Sequence, residues 1–448
     1  MKSIEKAPDS SSSDLLNKGA RLLTNKDFQL IASDINEKYL YWNKVKYYKT
    51  PEGISPNVLW AVIKFTRTIN AKVINFGKYR FTYNLTDPIQ KELHEFDLHI
   101  GGELGTKSII PEEGKKRYLI SSIMEEAIAS SQIEGAVTTR KVAKEMLRKS
   151  INPKNKSEQM IVNNYLTIKH IVDIQNESLT LEKLFEIHRL ITNKTLDDSA
   201  DEGRYREDNE VNVVDVTDGE IVHTPPDFKE VPQLMNELIQ FFNENNSNRF
   251  IHPIIKGCII HFMVGYIHPF VDGNGRTARA LFYWYLLKSG YWLTEYLSIS
   301  RLIIKSKTQY AQAFLYSEVD ENDLTYFINY KMKTMQLAYQ SLREYIQRKI
   351  NEKKQVINFQ KIKGVNERQS HILKWIYEEP DLLFSVKEIE NRFSVSNQTA
   401  RTDLMELEKR GYLEGIDTNK KTKGFCRSEI FLELLEKELP KAMKNFHN

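Results

Sequence analysis

The chain has 448 residues, with 64 basic and 60 acidic side chains and a formal net charge of +4. That length exceeds one ordinary domain, and the near balance of charge argues against a protein that works chiefly by coating nucleic acid, although a local DNA-binding module is compatible with it. Two cysteines, Cys258 and Cys426, lie far apart, which excludes a disulfide framework, argues against a cysteine-built zinc site and agrees with a reducing compartment. The first residues, MKSIEKAPDSSSSDLL, lack the apolar core of a signal peptide, and the longest apolar region, 257–271, is broken by His261 and His268, so the expected location is the cytoplasm.

Residues 1–27 read as a poorly ordered N-terminus because of the serine run at 10–13. Residues 28–114 read as a mixed, mostly helical region rich in aromatic residues. Ser55-Pro56 opens a helix through Trp60, Ile63 and Thr66, and Thr86-Asp87-Pro88 opens another that Gly101-Gly102 closes. Residues 115–345 are nearly all helical in pattern, with Leu119, Ile123, Ala127 and Ile128 on one face and Leu181, Leu184, Ile187, His188 and Ile191 on another. A hairpin interrupts them: runs at 211–216 and 220–223 flank Asp218-Gly219, and Pro225-Pro226 ends the second. A helix over 231–243 follows, and the apolar run 253–267 suits a helix at the heart of a bundle.

Residues 346–364 are charged and poor in large apolar side chains, as in a helical linker. Within 365–448, three short helices are expected over 367–377, 386–393 and 397–410, with Ser396 as an N-cap and Gly411 as a stop, followed by a lysine-rich hairpin over 416–425. The fold class is therefore mainly α.

The segment with the most chemistry is 268–279, HPFVDGNGRTAR. His268 falls where the apolar helix ends, and an imidazole there can act as a general base. Phe270 is suited to anchoring the loop in the core. Asp272 can hold Mg²⁺, which takes one or two carboxylates together with phosphate oxygens. Gly273, Asn274 and Gly275 permit a backbone that points several N–H groups at one anion, and the helix that follows adds its positive end. Arg276 and Arg279 can share one face of its first turn. The set suits a nucleoside polyphosphate with a base beside it, and neither a P-loop nor a protein-kinase motif set is present. His252, His261 and His268 near Cys258 fit no standard zinc spacing, so His261 is expected to pack beside the site.

This segment resembles the signature of the Fic (filamentation induced by cAMP) family, H-P-F-x-D/E-G-N-G-R-x-x-R, at every fixed position. The resemblance extends over roughly residues 40–290, including Gly203-Arg204-Tyr205-Arg206, the hairpin and Pro225-Pro226. It implies a Fic helical bundle with a β-hairpin flap and an N-terminal helical region. It also implies transfer of AMP from ATP to a Ser, Thr or Tyr hydroxyl of a protein. In that scheme His268 is the base and Asp272 holds Mg²⁺. Gly273, Asn274 and Gly275 stabilise the transferred phosphate, and Arg276 and Arg279 hold the β- and γ-phosphates. A free edge of the flap would present the target segment.

Upstream, Ser130-Ser131-Gln132-Ile133-Glu134-Gly135 resembles the family's inhibitory motif S/T-x-x-x-E-G/N, with Ser130 and Glu134 in the key places. Glu134 is expected in the last turn of a helix, where an anion is disfavoured unless a cation relieves it. The resemblance implies that Arg279 is that cation, so that Glu134 restrains the same chain. The same glutamate could instead position a water that removes AMP, giving a bifunctional enzyme.

The C-terminal part resembles a winged helix-turn-helix. Asn397, Gln398, Arg401 and Thr402 lie near the start of its third helix, where base edges are read, and Lys420, Lys421 and Lys423 lie on the wing, where phosphates are met. Asp403, Glu406 and Glu408 on the same helix lower the positive charge. Such modules also dock proteins or form homodimers. The alternative to an enzyme is a DNA-binding transcriptional regulator whose Fic domain senses nucleotide.

Overall fold

The helix Pro253–Ile267 is apolar around its circumference, and such a helix is stable only when it is surrounded. The computed structural model describes residues 4–10, 12, 15, 19, 25–50, 54–101, 115–214, 219, 221–244, 249–380, 382–419 and 422–438. It places this helix at the centre of the first of two units, Met1–Leu342 and Arg343–Asn448. Pro253 occupies the first turn, and His252 Nδ1 accepts from the N–H of Ile254 at 3.3 Å. Asn274–Lys288 packs along the central helix. Lys115–Ile133, Lys156–Asp173, Leu181–Thr192 and Val231–Asn243 complete a bundle around the pair. No helix among the described residues is long and apolar enough to cross a membrane.

The N-terminal region of this unit has the two expected helices, Pro56–Asn70 capped by Ser55 and Asp87–His99 capped by Thr86. Gly101 follows the second, and Gly102 lies outside the described residues. Between them runs an antiparallel hairpin, Lys72–Phe76 with Tyr79–Tyr83, that the reading of a mostly helical region did not single out. Its turn is Gly77-Lys78, with Gly77 at φ +54°, and its inward residues Phe76 and Phe81 reach Phe241 and Phe262. One expectation fails. Residues 4–7 are not loose: Tyr41 Oη donates to the Glu5 carbonyl and accepts from the Ala7 N–H, both at 3.0 Å, and Ile4 and Ala7 pack on the aromatic cluster around Trp42. Ser11 and Ser13 of the serine run lie outside the described residues.

The second hairpin pairs Val213–Val214 with Ile221–His223, and residues 215–217 lie outside the described residues. Asp218 and Glu220 of its turn lie outside the described residues.

In the second unit the three expected helices are Glu367–Glu378, Val386–Phe393 and Asn397–Lys409. A capping box between Asn366 and Gln369 starts the first, and Ser396 caps the third. A three-stranded antiparallel sheet joins Phe384–Ser385, Thr422–Arg427 and Leu413–Asn419, in that order. The edge strand Phe384–Ser385 and the final helix Phe431–Glu438 are additions to the expected module. Most of the linker segment belongs to the helix Thr325–Gln360, and Phe359 and Ile362 are buried in the core of this unit with Ile372, Leu404 and Phe431.

Asp403 points inward, where it accepts from Arg368 at 2.6 and 3.1 Å and from Asn366 at 2.7 Å. Replacing it by Ala strands a guanidinium and an amide, at roughly 2 kcal/mol. Calorimetry of the full-length Asp403→Ala protein is expected to show one unfolding transition lowered by roughly 10 °C, while Thr402→Ala, on the outer face, moves it by no more than about 2 °C.

Candidate active site

The site forms where the central helix ends. His268 takes the left-handed conformation, φ +49°, which turns the chain out of the helix after a last bond from its N–H to the Val264 carbonyl at 3.0 Å. Its Nδ1 lies 3.1 Å from the Gly265 carbonyl, an atom that can only accept, so Nδ1 carries the proton and Nε2 keeps its lone pair. Burial pushes the imidazole down to about 4, and the positive charges of His223 and Arg206 act in the same direction.

The loop after His268 is fixed on both sides. Phe270 is fully buried and stacks on His188, with ring centroids 3.7 Å apart. The Asn274 side chain closes two bonds on the Phe270 backbone, accepting from its N–H at 2.9 Å and donating to its carbonyl at 2.8 Å. Asn274 therefore clamps the loop with its side chain, so any contact with a phosphate falls to its backbone. Gly273 sits at φ +85°, and a Cβ there would come within 2.9 Å of Thr192 Cγ2. His188 accepts from the Gly203 N–H at Nδ1 and donates from Nε2 to the Asp272 carbonyl, both at 2.9 Å, and burial pushes it down to about 4. Arg206 donates to the carbonyls of His268, at 2.9 Å, and of Pro226. His188 and Arg206 are structural keys of the loop; periodicity places His188 only on a helix face, and Arg206 is marked only by the resemblance.

Asp272 is about half exposed; one oxygen accepts from the Gly273 N–H at 2.5 Å and the other lies 3.2 Å from Arg276 Nη2. The two arginines serve different partners. Arg276 is buried against Asp272 and the Ile191 carbonyl, while Arg279 turns to the helix Lys115–Ile133. Arg279 donates to Ser130 Oγ at 2.8 Å, to the Ser130 carbonyl at 3.1 Å and to Glu134 Oε1 at 2.8 Å. Its Nη1 is buried without a hydrogen-bond partner among the described residues.

Glu134 stands one residue beyond its helix rather than in the last turn, before Gly135 at φ +94°. The carboxylate is directed away from its own helix to the positive end of a different helix. A Cβ placed on Gly275 would lie 2.3 Å from Glu134 Oε1, so the carboxylate rests on the first turn of Asn274–Lys288. An anion already fills the place that helix dipole and guanidinium prepare.

His261 lies buried behind the site, with Nε2 2.8 Å from the Tyr310 hydroxyl and Nδ1 3.3 Å from Lys331 Nζ. In the second unit, Asn397, Gln398, Arg401 and Thr402 are exposed, and Asn397 donates to Glu390 at 2.9 Å. The acidic residues of that helix turn elsewhere: Asp403 inward, Glu406 to Gln369 and Glu408 to Lys423, the last two at 2.8 Å. Lys420 and Lys421 lie outside the described residues.

A helical bundle whose central helix ends in this anion-holding loop is a Fic fold. Residues 178–286 match the model of the Fic/DOC family, and residues 368–424 match that of an HTH domain. The chain carries a Fic domain followed by a C-terminal HTH domain. The protein adenylyltransferase Fic of Nematostella vectensis is 34% identical over 120 residues, which is 26% of this chain and 25% of that protein. The protein of the same name from Drosophila mojavensis is 33% identical over 118 residues, 26% of this chain and 21% of that one. The chain thus matches no more than about a quarter of the length of these curated relatives. The crystal structure of a Fic family protein from Desulfovibrio desulfuricans G20 aligns over 78% of this chain and 99% of its own, with a TM-score of 0.50 and 20% identity, a likeness of fold.

Because the folded imidazole of His268 resists protonation, its contribution to stability is present above the ordinary value near 6.5 and is lost as pH falls toward about 4. In NMR spectra, the imidazole signal that His268→Ala removes is expected to keep the neutral shift from about pH 8 down to about pH 5.5. A midpoint near 6.5 would show that the ring is as solvated as a free histidine.

Proposed function

We propose that this chain transfers AMP from ATP to the hydroxyl of a protein Ser, Thr or Tyr, and that Glu134 restrains it. The observation that carries this reading is one juxtaposition. A base with an open Nε2 stands beside a helix N-terminus and a buried guanidinium that already bind a carboxylate. The target oxygen attacks the α-phosphorus, the bond to the pyrophosphate oxygen breaks, and the hydroxyl proton passes to His268 Nε2. The backbone around Gly273 and Gly275, with Arg276 and Arg279, offers positive charge to the phosphates. The unpartnered Nη1 of Arg279 fits an incoming phosphate oxygen. Asp272, half exposed at the mouth, would hold Mg²⁺, which when bound neutralises charge on the phosphates.

Restraint follows from competition. Glu134 and the γ-phosphate would need the same face of Arg279, and two anions cannot share it without strong repulsion. The hairpin 213–223 leaves Val214 and Ile221 exposed, and an extended target segment pairing with its edge would bring a hydroxyl to His268. Incubated with labelled ATP and Mg²⁺, Glu134→Gly protein is expected to gain AMP at least about tenfold faster than wild type, which is about 1.4 kcal/mol of relieved competition. His268→Ala in that background abolishes the label. Unchanged or slower labelling in Glu134→Gly sinks the restraint, and labelling that survives His268→Ala sinks the chemistry.

The C-terminal domain is proposed to bind DNA. The supporting observation is that the carboxylates of the third helix are engaged inward or sideways, while Gln398, Arg401 and Thr402 stay exposed. Arg401→Ala should weaken a selected duplex by about 1–3 kcal/mol in fluorescence anisotropy, and Lys423→Ala by less, because Glu408 already shares that charge.

A further inference from the structure

The strand Ile221–His223 ends in a histidine whose side chain is only 8% exposed. Its Nδ1 lies 2.7 Å from Glu318 Oε2, and its Nε2 lies 2.8 Å from the Tyr266 carbonyl oxygen. A carbonyl oxygen only accepts, so Nε2 carries a proton. An ionised carboxylate also only accepts, so Nδ1 carries one too, and the ring between them is an imidazolium. This sets His223 apart from His188, bracketed by a donor and an acceptor, and from His268, which burial holds neutral.

The two acceptors belong to two different elements. Glu318 is on the helix Lys307–Val319, and Tyr266 is in the last turn of Pro253–Ile267, two residues before His268. Carbonyls in a last helical turn lack intrahelical partners and favour a cation. The charged and titratable groups facing His223 are Glu318, Arg206, His268 and the Tyr266 phenol, whose ring centroid is 5.2 Å away. Burial acts to lower the imidazolium's pKa, but the bonds to Glu318 and to the Tyr266 carbonyl outweigh it, and His223 is raised above its ordinary value. Arg206 fastens the chain just after the strand, at Pro226.

We propose that His223 is a positioning residue for the target. Its imidazolium pins the strand Ile221–His223 to the end of the helix that carries His268, and loss of one proton releases the strand. The consequence for catalysis rests on the reading of this hairpin as the edge that presents the target hydroxyl. The sign follows from the raised value: the pin is complete below the ordinary imidazole range and is lost as pH rises through the folded value.

The test is amide hydrogen exchange of the full chain over residues 221–224, followed from about pH 6 to pH 9 and corrected for intrinsic exchange. Wild-type protein is expected to be protected at the acid end and to exchange about tenfold faster at the alkaline end, the scale of one charge-assisted hydrogen bond. His223→Gln should exchange fast throughout. Glu318→Gln should move the transition to lower pH, which a merely structural role for the ring would not do. Protection that is independent of pH and equal in His223→Gln overturns the pin. In the Glu134→Gly background, His223→Gln should slow self-labelling by AMP about tenfold without changing ATP affinity. An unchanged labelling rate overturns the positioning role. If Glu134→Gly protein transfers no AMP at all, the adenylylation reading fails, while the exchange data still decide the pin.

Discussion

A guanidinium buried as deeply as that of Arg279, 3% exposed, has to be satisfied by an anion or by several acceptors. Much of the Fic domain can be read as an answer to that requirement. Ser130 supplies two acceptors and Glu134 supplies the charge, both from the end of one helix. The helix Asn274–Lys288 supplies the geometry, because its N-terminal turn meets the same carboxylate over the unsubstituted face of Gly275. A side chain on Gly275 would collide with whatever anion sits there, so the same absence of a Cβ serves Glu134 and would serve a phosphate.

Three histidines around this centre show how hydrogen-bond partners set chemistry. His188 is bracketed by a donor and an acceptor, and this holds it neutral as a strut between Gly203 and Asp272. His268 has one acceptor and one open nitrogen, the arrangement of a base. His223 has two acceptors and carries a charge. The positive charge of His223 helps keep His268 unprotonated, so the two rings are coupled electrostatically.

The features legible in the sequence are those that depend on neighbours along the chain. Ser55, Thr86 and Ser396 mark helix starts because each hydroxyl reaches an N–H three residues on. The glycines of the 268–279 run mark a loop because no helix or strand gains from them. The contact of Glu134 with Arg279, 145 residues apart, is accessible only through resemblance, since nothing in periodicity joins two such positions. Illegible features are long-range pairings between residues with bland local explanations. His188 looks like one position on a helical face, yet it meets the Asp272 carbonyl 84 residues away. His223 and Glu318 are 95 apart and lie on elements whose packing no local pattern encodes. In the sequence Asp403 counts only as a negative charge on its helix, because its partner Arg368 lies on a different helix.

The way Glu134 is held also constrains how Arg279 could be freed. The helix that precedes Glu134 is fastened along its length. Glu126, fully buried, accepts from the Ser300 N–H at 2.9 Å and from its hydroxyl, and Glu125 binds Arg140 and Lys144. Ser131 bonds back to the Ala127 carbonyl at 2.8 Å, and Lys307 takes the Gln132 carbonyl at 3.0 Å. Withdrawing the helix would strand the buried Glu126 carboxylate, a cost of several kcal/mol. Glu134 itself is 29% exposed, stands beyond the last helical residue and precedes a glycine with no atom near its Cβ position. Rotating that one side chain away breaks a single ion pair and leaves the bundle intact. A phosphate arriving at Arg279 would replace the pair as the carboxylate leaves, so the exchange of anions is far cheaper than any movement of the helix.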